Sequence, residues 1–394
     1  MSDTVDTTQS PQQAFYKEQG GNVAVVDNGG DLVIASGGKI TLQSGATVLN
    51  ISGQDISAFL NALGSAGFGN PSFRNILDGG DFTINPWQRG TSFTGISNTL
   101  KYTADRFFAV GGASSSISVS QQAQTDVTGF GNSLRWGRGG GTDTGTIYLG
   151  QVLETLDCIR LQGQTVTLSF WAKAGAQFSG ANLAVQVNHS TTAGNDTAAH
   201  LVAASTNWQA TPTIINATIL PTATATRYTF TGVVPATATQ LGVLLSYAPT
   251  GTNNTTDTID FYGFQLEVAP VATPFEFRDV EVELALCQRY YFRTTEANGA
   301  IFADGSPLGA NSQGYCIWLP TPMRVAPTVT WTVGGFKVNI DGAGNAAPTS
   351  PAAGSAHTTT IITLTTANTL TAASHSILLV GTGTTGYIDA SAEF

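Results

Sequence analysis

Three kinds of hydrophobic spacing divide this chain. Over residues 23–53 glycine recurs every eight positions, at Gly29, Gly37, Gly45 and Gly53, with short apolar stretches at Leu32–Ile34, Ile40–Leu42 and Val48–Leu49 between them. Glycine tolerates positive φ and close backbone approach, so the interval marks a repeated turn. The residues between are strand formers, too few to bury an apolar face of their own. The pattern predicts a β-repeat stem whose rungs stack on one another or on the same strand of other chains, as a trimer; a glycine-rich linker with incidental hairpins is the alternative. From Asp55 to Leu63 the spacing turns helical, with Ile56, Phe59, Leu60 and Leu63 on one stripe, Ser52 or Asp55 as N-cap and Gly64 as the stop. So short a helix is marginal alone. The stripe is expected to serve trimerisation around the stem axis, or else to pack on its own globular part.

Beyond residue 73 the period becomes two. Ser116–Ser120, Thr146–Gly150, Val166–Ala172, Leu183–Val187, Arg227–Gly232, Leu241–Leu245 and Thr258–Glu267 alternate between turn-rich stretches, which predicts two packed antiparallel sheets of jelly-roll type. Glu281–Tyr291 reads as a helix start or a turn, with acidic residues first and Arg289 near its end, as a helix dipole prefers. Leu284, Cys287 and Tyr291 are expected to face one way and pin two domains together. Tyr315–Leu319, Thr328–Val333, Thr359–Leu364 and Ser376–Val380 then read as strands again. The expected fold class is all-β: an arm at 1–22, a stem with a small helix at 23–70, a jelly-roll at 71–280 and a C-terminal β-sandwich tip at 281–394.

Charge narrows the function classes. Only 11% of residues are charged and the net charge is −10, with no basic run, so nucleic acid is not an expected partner. Phe 20, Tyr 10 and Trp 6 exclude a disordered composition. No stretch approaches the length of an apolar membrane span, so membrane insertion is not expected. The start, Met1–Asp6, lacks the parts of a signal peptide. Cys158, Cys287 and Cys316 are expected to be buried free thiols. His189, His200, His357 and His375 share no ligand spacing, so zinc is not expected.

Several stretches resemble a domain of tailed-bacteriophage fibre and structural proteins. These are Asn75–Thr91, Tyr102–Phe107, Val166–Lys173, Gln265–Glu276, Glu283–Tyr291 and Pro322–Pro327, which together span 75–330. The jelly-roll part is also similar, more loosely, to carbohydrate-binding modules. The resemblance implies a trimeric virion fibre, made in the host cytoplasm, whose arm docks on other virion proteins and whose far end meets a host surface glycan or protein. A capsid-bound head fibre or decoration protein is the alternative, and a glycan depolymerase a further one.

No Ser-His-Asp order, HExxH or phosphate loop occurs, so an enzyme is not expected. A paired-carboxylate glycosidase would draw on acids such as Glu154, Asp157, Asp260 and Glu267. For glycan binding, Trp87, Trp136, Trp208 and Tyr148 lie near expected loops or strand ends, and Trp318, Trp331 and Tyr387 are similar in the tip. Trp171, inside a strong alternation, is expected in the core. No cofactor is expected beyond a structural calcium, which the similarity to carbohydrate-binding modules would place at Asp81 and Asp260. Asp105 and Arg106 are expected to form a buried ion pair. The sparse charge of 292–394 predicts short-range, salt-insensitive recognition at the tip.

Overall fold

The computed structural model describes residues 73–394 apart from 113–115, 141–143, 192–196, 204–207, 209–213, 252–255, 297–299, 310–311, 332–335, 341–343, 347–350, 353–357, 368–375 and 381–385, together with four short strands nearer the N-terminus. Residues 1–64 and 65–394 are separate compact units. In the first, β1 (Phe15–Lys17) pairs antiparallel with β2 (Ala24–Val26), and β3 (Asn50–Ile51) with β4 (Gln54–Asp55). β3 and β4 flank Ser52-Gly53, one of the repeating pairs. Asp55, expected to open a helix, is a strand residue instead. The remainder of the expected stem, with its trimerisation residues Ile56, Phe59, Leu60 and Leu63, lies outside the described residues.

In the second unit the chain runs β5 (Ser92–Ile96), β6 (Lys101–Tyr102), β7 (Phe108–Val110), β8 (Ser116–Ala123), β9 (Asn132–Gly140), β10 (Ile147–Leu153) and helix α1 (Thr155–Ile159). It continues through β11 (Thr165–Ala174), β12 (Leu183–Ser190), helix α2 (Ala198–Ala203), β13 (Ile215–Ile219), β14 (Thr226–Val233), β15 (Gln240–Tyr247) and β16 (Thr258–Val268). Two six-stranded sheets result, ordered β13-β12-β15-β10-β7-β6 and β14-β11-β16-β9-β8-β5. Alternate residues such as Val185, Val243 and Leu149 from one sheet meet Leu168, Phe170 and Phe261 from the other in one core, a jelly-roll-like sandwich.

One irregularity fixes how that core closes. Ile259 and Phe261 point inward on β16, and two-residue alternation would put Gly263 inward next. Instead the register against β11 slips between Ser169 and Trp171, leaving Gly263 and Phe264 opposite Phe170. This is a β-bulge, with Gly263 at a φ of +54°. The slip returns Phe264 and Leu266 to the core, where Phe264 stacks on Phe170 with centroids 4.8 Å apart. The backbone groups freed along this edge are met by the 75–80 segment. Phe264 N–H donates to Gly80 O at 3.0 Å, Asn75 Nδ2 to Phe264 O at 2.8 Å and Ile76 N–H to Leu266 O at 2.8 Å.

After α3 (Val280–Gln288) come β17 (Tyr291–Glu296), β18 (Ile301–Gly309), β19 (Ser312–Trp318), β20 (Thr328–Trp331) and β21 (Phe336–Ile340). The last strands are β22 (Gly344–Ala346), β23 (Pro351–Ala352), β24 (Ile361–Ala367), β25 (Ser376–Val380) and β26 (Gly386–Ser391). They form a three-stranded sheet, β17-β26-β20, and a seven-stranded one, β22-β21-β25-β18-β19-β24-β23, around a second core. Of the expected pinning residues, Cys287 and Tyr291 are buried but Leu284 is exposed. Cys316 is exposed too, against expectation, because Tyr315 takes the inward position in β19.

The sandwich and the C-terminal sheets are locked by buried charge. Arg106, at a φ of +72°, does not pair with its neighbour Asp105 as expected. Its Nη1 reaches Glu393 at 2.8 Å, its Nη2 donates to Val152 O at 2.8 Å, and its guanidinium lies 3.4 Å from the Tyr290 ring centroid. Asp105 pairs with Arg89 at 3.1 Å, and Arg89 also reaches Glu393 at 3.2 Å. The positive φ turns residue 106 away from residue 105, so adjacent charges serve different partners.

Candidate functional site

The lock leaves an open groove of about 590 Å³ between the sandwich edge and the three-stranded sheet, a size that suits a small ligand. Its floor follows from strand alternation. Phe292, Val329, Trp331, Ile388 and Ala390 turn into the C-terminal core. The residues between them turn outward: Arg293 stands opposite Asp389, Tyr291 opposite Ser391 and Thr295 opposite Tyr387, with Thr328 and Thr330 on the far side of β26. Ser92, Phe93, Leu100, Lys101 and Tyr102 supply the other wall.

Arg293 grips Asp389 with two parallel bonds, Nε to Oδ1 at 2.6 Å and Nη2 to Oδ2 at 2.7 Å. The guanidinium lies 4.3 Å from the Tyr387 ring centroid. Burial and the hydrogen bond with Asp389 both push the Tyr291 hydroxyl upward, so it stays protonated and donates to that carboxylate. Arg89 lies 3.4 Å from the Tyr291 ring centroid. The result is a rigid polar floor edged by a half-buried tyrosine and by hydroxyls. Such a surface can stack a sugar ring and bond its hydroxyls while keeping its own shape.

Of the seven aromatic residues singled out in the sequence, none lines the groove itself; Tyr387 comes nearest, on the same outward face of β26 as Asp389 and beneath Arg293. Trp87 is 5% exposed, at a φ of +46°, with its indole N–H on Phe82 O at 3.2 Å. Trp136 lies mid-strand in β9, fully buried against Tyr247 and Phe261, because a Gly- and Arg-rich stretch that reads as loop is a strand. Trp208 and Tyr148 belong to an apolar cluster with Phe108, Val152 and Leu201 on the outer face of the first sheet. Trp331 turns into the tip core, while Trp318 ends β19 with 73% exposure. Trp171, expected in the core, is half-buried on the outer face beneath Arg227, 4.7 Å from its ring centroid.

The two residues named for calcium do not converge. Both Asp260 oxygens are held by Arg135, at 2.7 and 2.8 Å. Asp81 Oδ1 accepts Thr83 N–H at 2.9 Å within its turn, and burial raises its pKa. That turn meets β16 at Phe264, roughly 13 Å of strand away from Asp260. The four acids named for glycosidase chemistry also separate. Glu267 is buried and accepts Thr273 N–H at 2.9 Å. Glu154 and Asp157 do come together, with Asp78, around a cavity of about 260 Å³ beside Arg160, Arg278 and Arg289. Arg289 holds Glu154 through Nε at 3.0 Å and Nη2 at 2.9 Å. Burial raises the pKa of both Asp78 and Asp157.

Arg293, Asp389, Arg89 and Lys101 were not singled out in the sequence. The alternation Tyr291-Phe-Arg293-Thr-Thr295 and Tyr387-Ile-Asp389-Ala-Ser391 does carry the signal of sheets wet on one face. That these two strands pair, across almost the whole tip, is not a local property.

No family model and no curated protein matches the chain. Among solved structures, it is similar to the enzymatically active domain of tailspike protein 4 of bacteriophage CBA120, at 13% identity and a TM-score of 0.31, covering 50% of this chain and 22% of that one. It is similar also to the C-terminal family 22 carbohydrate binding module of Clostridium thermocellum Xyn10B, at 13% identity and a TM-score of 0.29, covering 45% and 98%. The CBM22-2 xylan-binding domain of Paenibacillus barcinonensis Xyn10C gives 19% identity, a TM-score of 0.26, and coverage of 42% and 92%.

Proposed function

We propose that this chain is a glycan-binding attachment protein of a tailed-phage virion, and that the groove between the sandwich and the three-stranded sheet is its binding site. The observation that carries the binding part is the floor of the groove: the bidentate Arg293–Asp389 pair beside Tyr387, with Thr328, Thr330 and Ser391 around it. The virion part rests on the sequence blocks within 75–330, and a trimeric assembly rests on the glycine repeat and the helical stripe. Arg293→Ala removes the planar donor and frees Asp389; Thr330→Trp fills the groove from an exposed position. Each is expected to abolish attachment to host cells and binding on a host-glycan array; the melting temperature should stay near wild type in Thr330→Trp and fall in Arg293→Ala, which leaves the buried Asp389 without its cation. Full binding by both variants overturns the assignment of the groove. Light scattering is expected to give three times 40.8 kDa.

The convergence of Asp78, Glu154 and Asp157 at one cavity favours glycan hydrolysis as a second reading. There Asp157, with its raised pKa, would act as the acid. It predicts release of reducing ends from host polysaccharide, lost in Asp157→Asn. Binding without any release over hours rejects it.

A further inference from the structure

We infer that the groove is built for an anionic glycan, one carrying a carboxylate or a phosphate, and that Lys101 is the residue that meets the charge. This rests on the groove being the glycan site. The chain as a whole is acidic, with 16 Lys and Arg against 26 Asp and Glu. The groove reverses that balance: among the described residues Arg89, Lys101 and Arg293 line it, against Asp389 as the one lining carboxylate. Arg293 and Asp389 satisfy each other, which leaves Arg89 and Lys101.

The acids that hold Arg89 do not face a ligand. Asp105 and Glu393 have side chains only 1% and 4% exposed and are not among the groove's lining residues. Lys101 differs again. It is exposed on β6, its ammonium stands 5.6 Å from the Phe93 ring centroid, and among the described residues no carboxylate lies within 4.0 Å of it. A cation left uncompensated at the mouth of a concave site in an acidic protein attracts and orients ligands of opposite sign. The sparse charge of 292–394 predicts salt-insensitive recognition, but the groove also takes Lys101 from the sandwich edge, whereas the tip's own lining cation, Arg293, is paired with Asp389.

The test uses the full-length protein and matched pairs of oligosaccharides, measured by calorimetry. One set contains uronic-acid oligosaccharides with their carboxyl-reduced counterparts, the other phosphorylated oligosaccharides with their dephosphorylated counterparts. At low salt the anionic member of a pair is expected to bind about fivefold more tightly. That ratio should fall toward one in about 0.5 M salt. It should also fall toward one in Lys101→Met and survive in Lys101→Arg, with melting temperatures confirming that both variants fold. A preference confined to one set names the substituent. Equal binding of charged and neutral members by wild type, or a preference unchanged in Lys101→Met, overturns the inference and leaves the glycan reading standing. Binding of no oligosaccharide by wild type overturns both.

Discussion

At the scale of single residues, burial decides which aromatic side chains hold the fold and which are free to bind. Trp136 has no exposed surface and fills the space between Tyr247 and Phe261. Trp136→Ala is expected to cost about 3–5 kcal/mol, read as a lower denaturant midpoint. Tyr387→Ala should do the reverse, weakening glycan binding with a stability change of only about 0.5 kcal/mol. Arg138 and Asp257 are a sharper case. They pair at 2.8 Å with side chains 0% and 1% exposed, and Arg138 also donates to Thr250 O at 2.8 Å. Asp257→Asn leaves a buried guanidinium short of charge and should cost about 3–5 kcal/mol. The sequence offers these arginines on a Gly-rich strand as though they were surface groups. Only the antiparallel pairing of β9 with β16 brings Arg138 beside Asp257.

At the scale of elements, the bulge in β16 is where local chemistry and global register agree. The parity slip is written in the sequence: Ile259 and Phe261 are odd, Phe264 and Leu266 even, with Gly263 between them. A Cβ on Gly263 would sit 2.5 Å from Phe130 Cζ and would strain a positive φ. Gly263→Ala is therefore expected to lose about 1–3 kcal/mol, seen in urea unfolding. The same bulge explains why the Asn75–Gly80 stretch has the residues it has. A Cβ on Gly80 would meet Phe264 O at 2.3 Å, so glycine is what lets this segment lie against the strand.

At the scale of the whole molecule, sandwich and tip share a charged junction and are not beads on a string. Glu393 serves both Arg89 and Arg106, and Arg324 lies 4.2 Å from the Phe394 ring centroid. A protein cut after residue 291 would deprive Arg89 and Arg106 of Glu393, leaving them only Asp105 and Asp78, and is expected to unfold more readily. Point variants in the groove therefore separate binding from folding better than truncation does. The junction also sets a pH dependence. Burial pushes Asp105 up to about 6 from 3.8, against the pull of Arg89. Because the folded pKa is raised, this group's stabilising contribution is complete below about pH 4 and is lost as pH rises through about 6. Asp78 and Glu283 are raised in the same direction by burial. The melting temperature is expected to rise from pH 7.5 to about pH 5, and Asp105→Asn to flatten that rise.

The sequence by itself determined the all-β character and most of the long strands of the sandwich and tip, because alternation and turn residues are local and need no partner to be read; it marked a helix or turn from Glu281, and the structure ends that helix at Gln288 and gives Tyr291 to β17. The bulge is not read from it: Thr258–Glu267 reads as one alternating run, and the change of parity at Gly263 has meaning only beside the register slip against β11. Strand β9 stayed hidden because its arginines read as surface groups, whereas Arg135 pairs with Asp260 and the buried Arg138 with Asp257, both brought there by β16 and the residue before it. The tertiary structure alone decided the site. Arg293 and Asp389 lie 96 positions apart, and Lys101 and Arg293 belong to different sheets, so their convergence on one groove depends on strand order and on the Arg106–Glu393 lock. It also decided which tryptophans face solvent. A strand's inward face is fixed by what packs against it: Trp136 and Trp208 are buried by elements far away in the chain, and Trp87 by its own turn against Phe82.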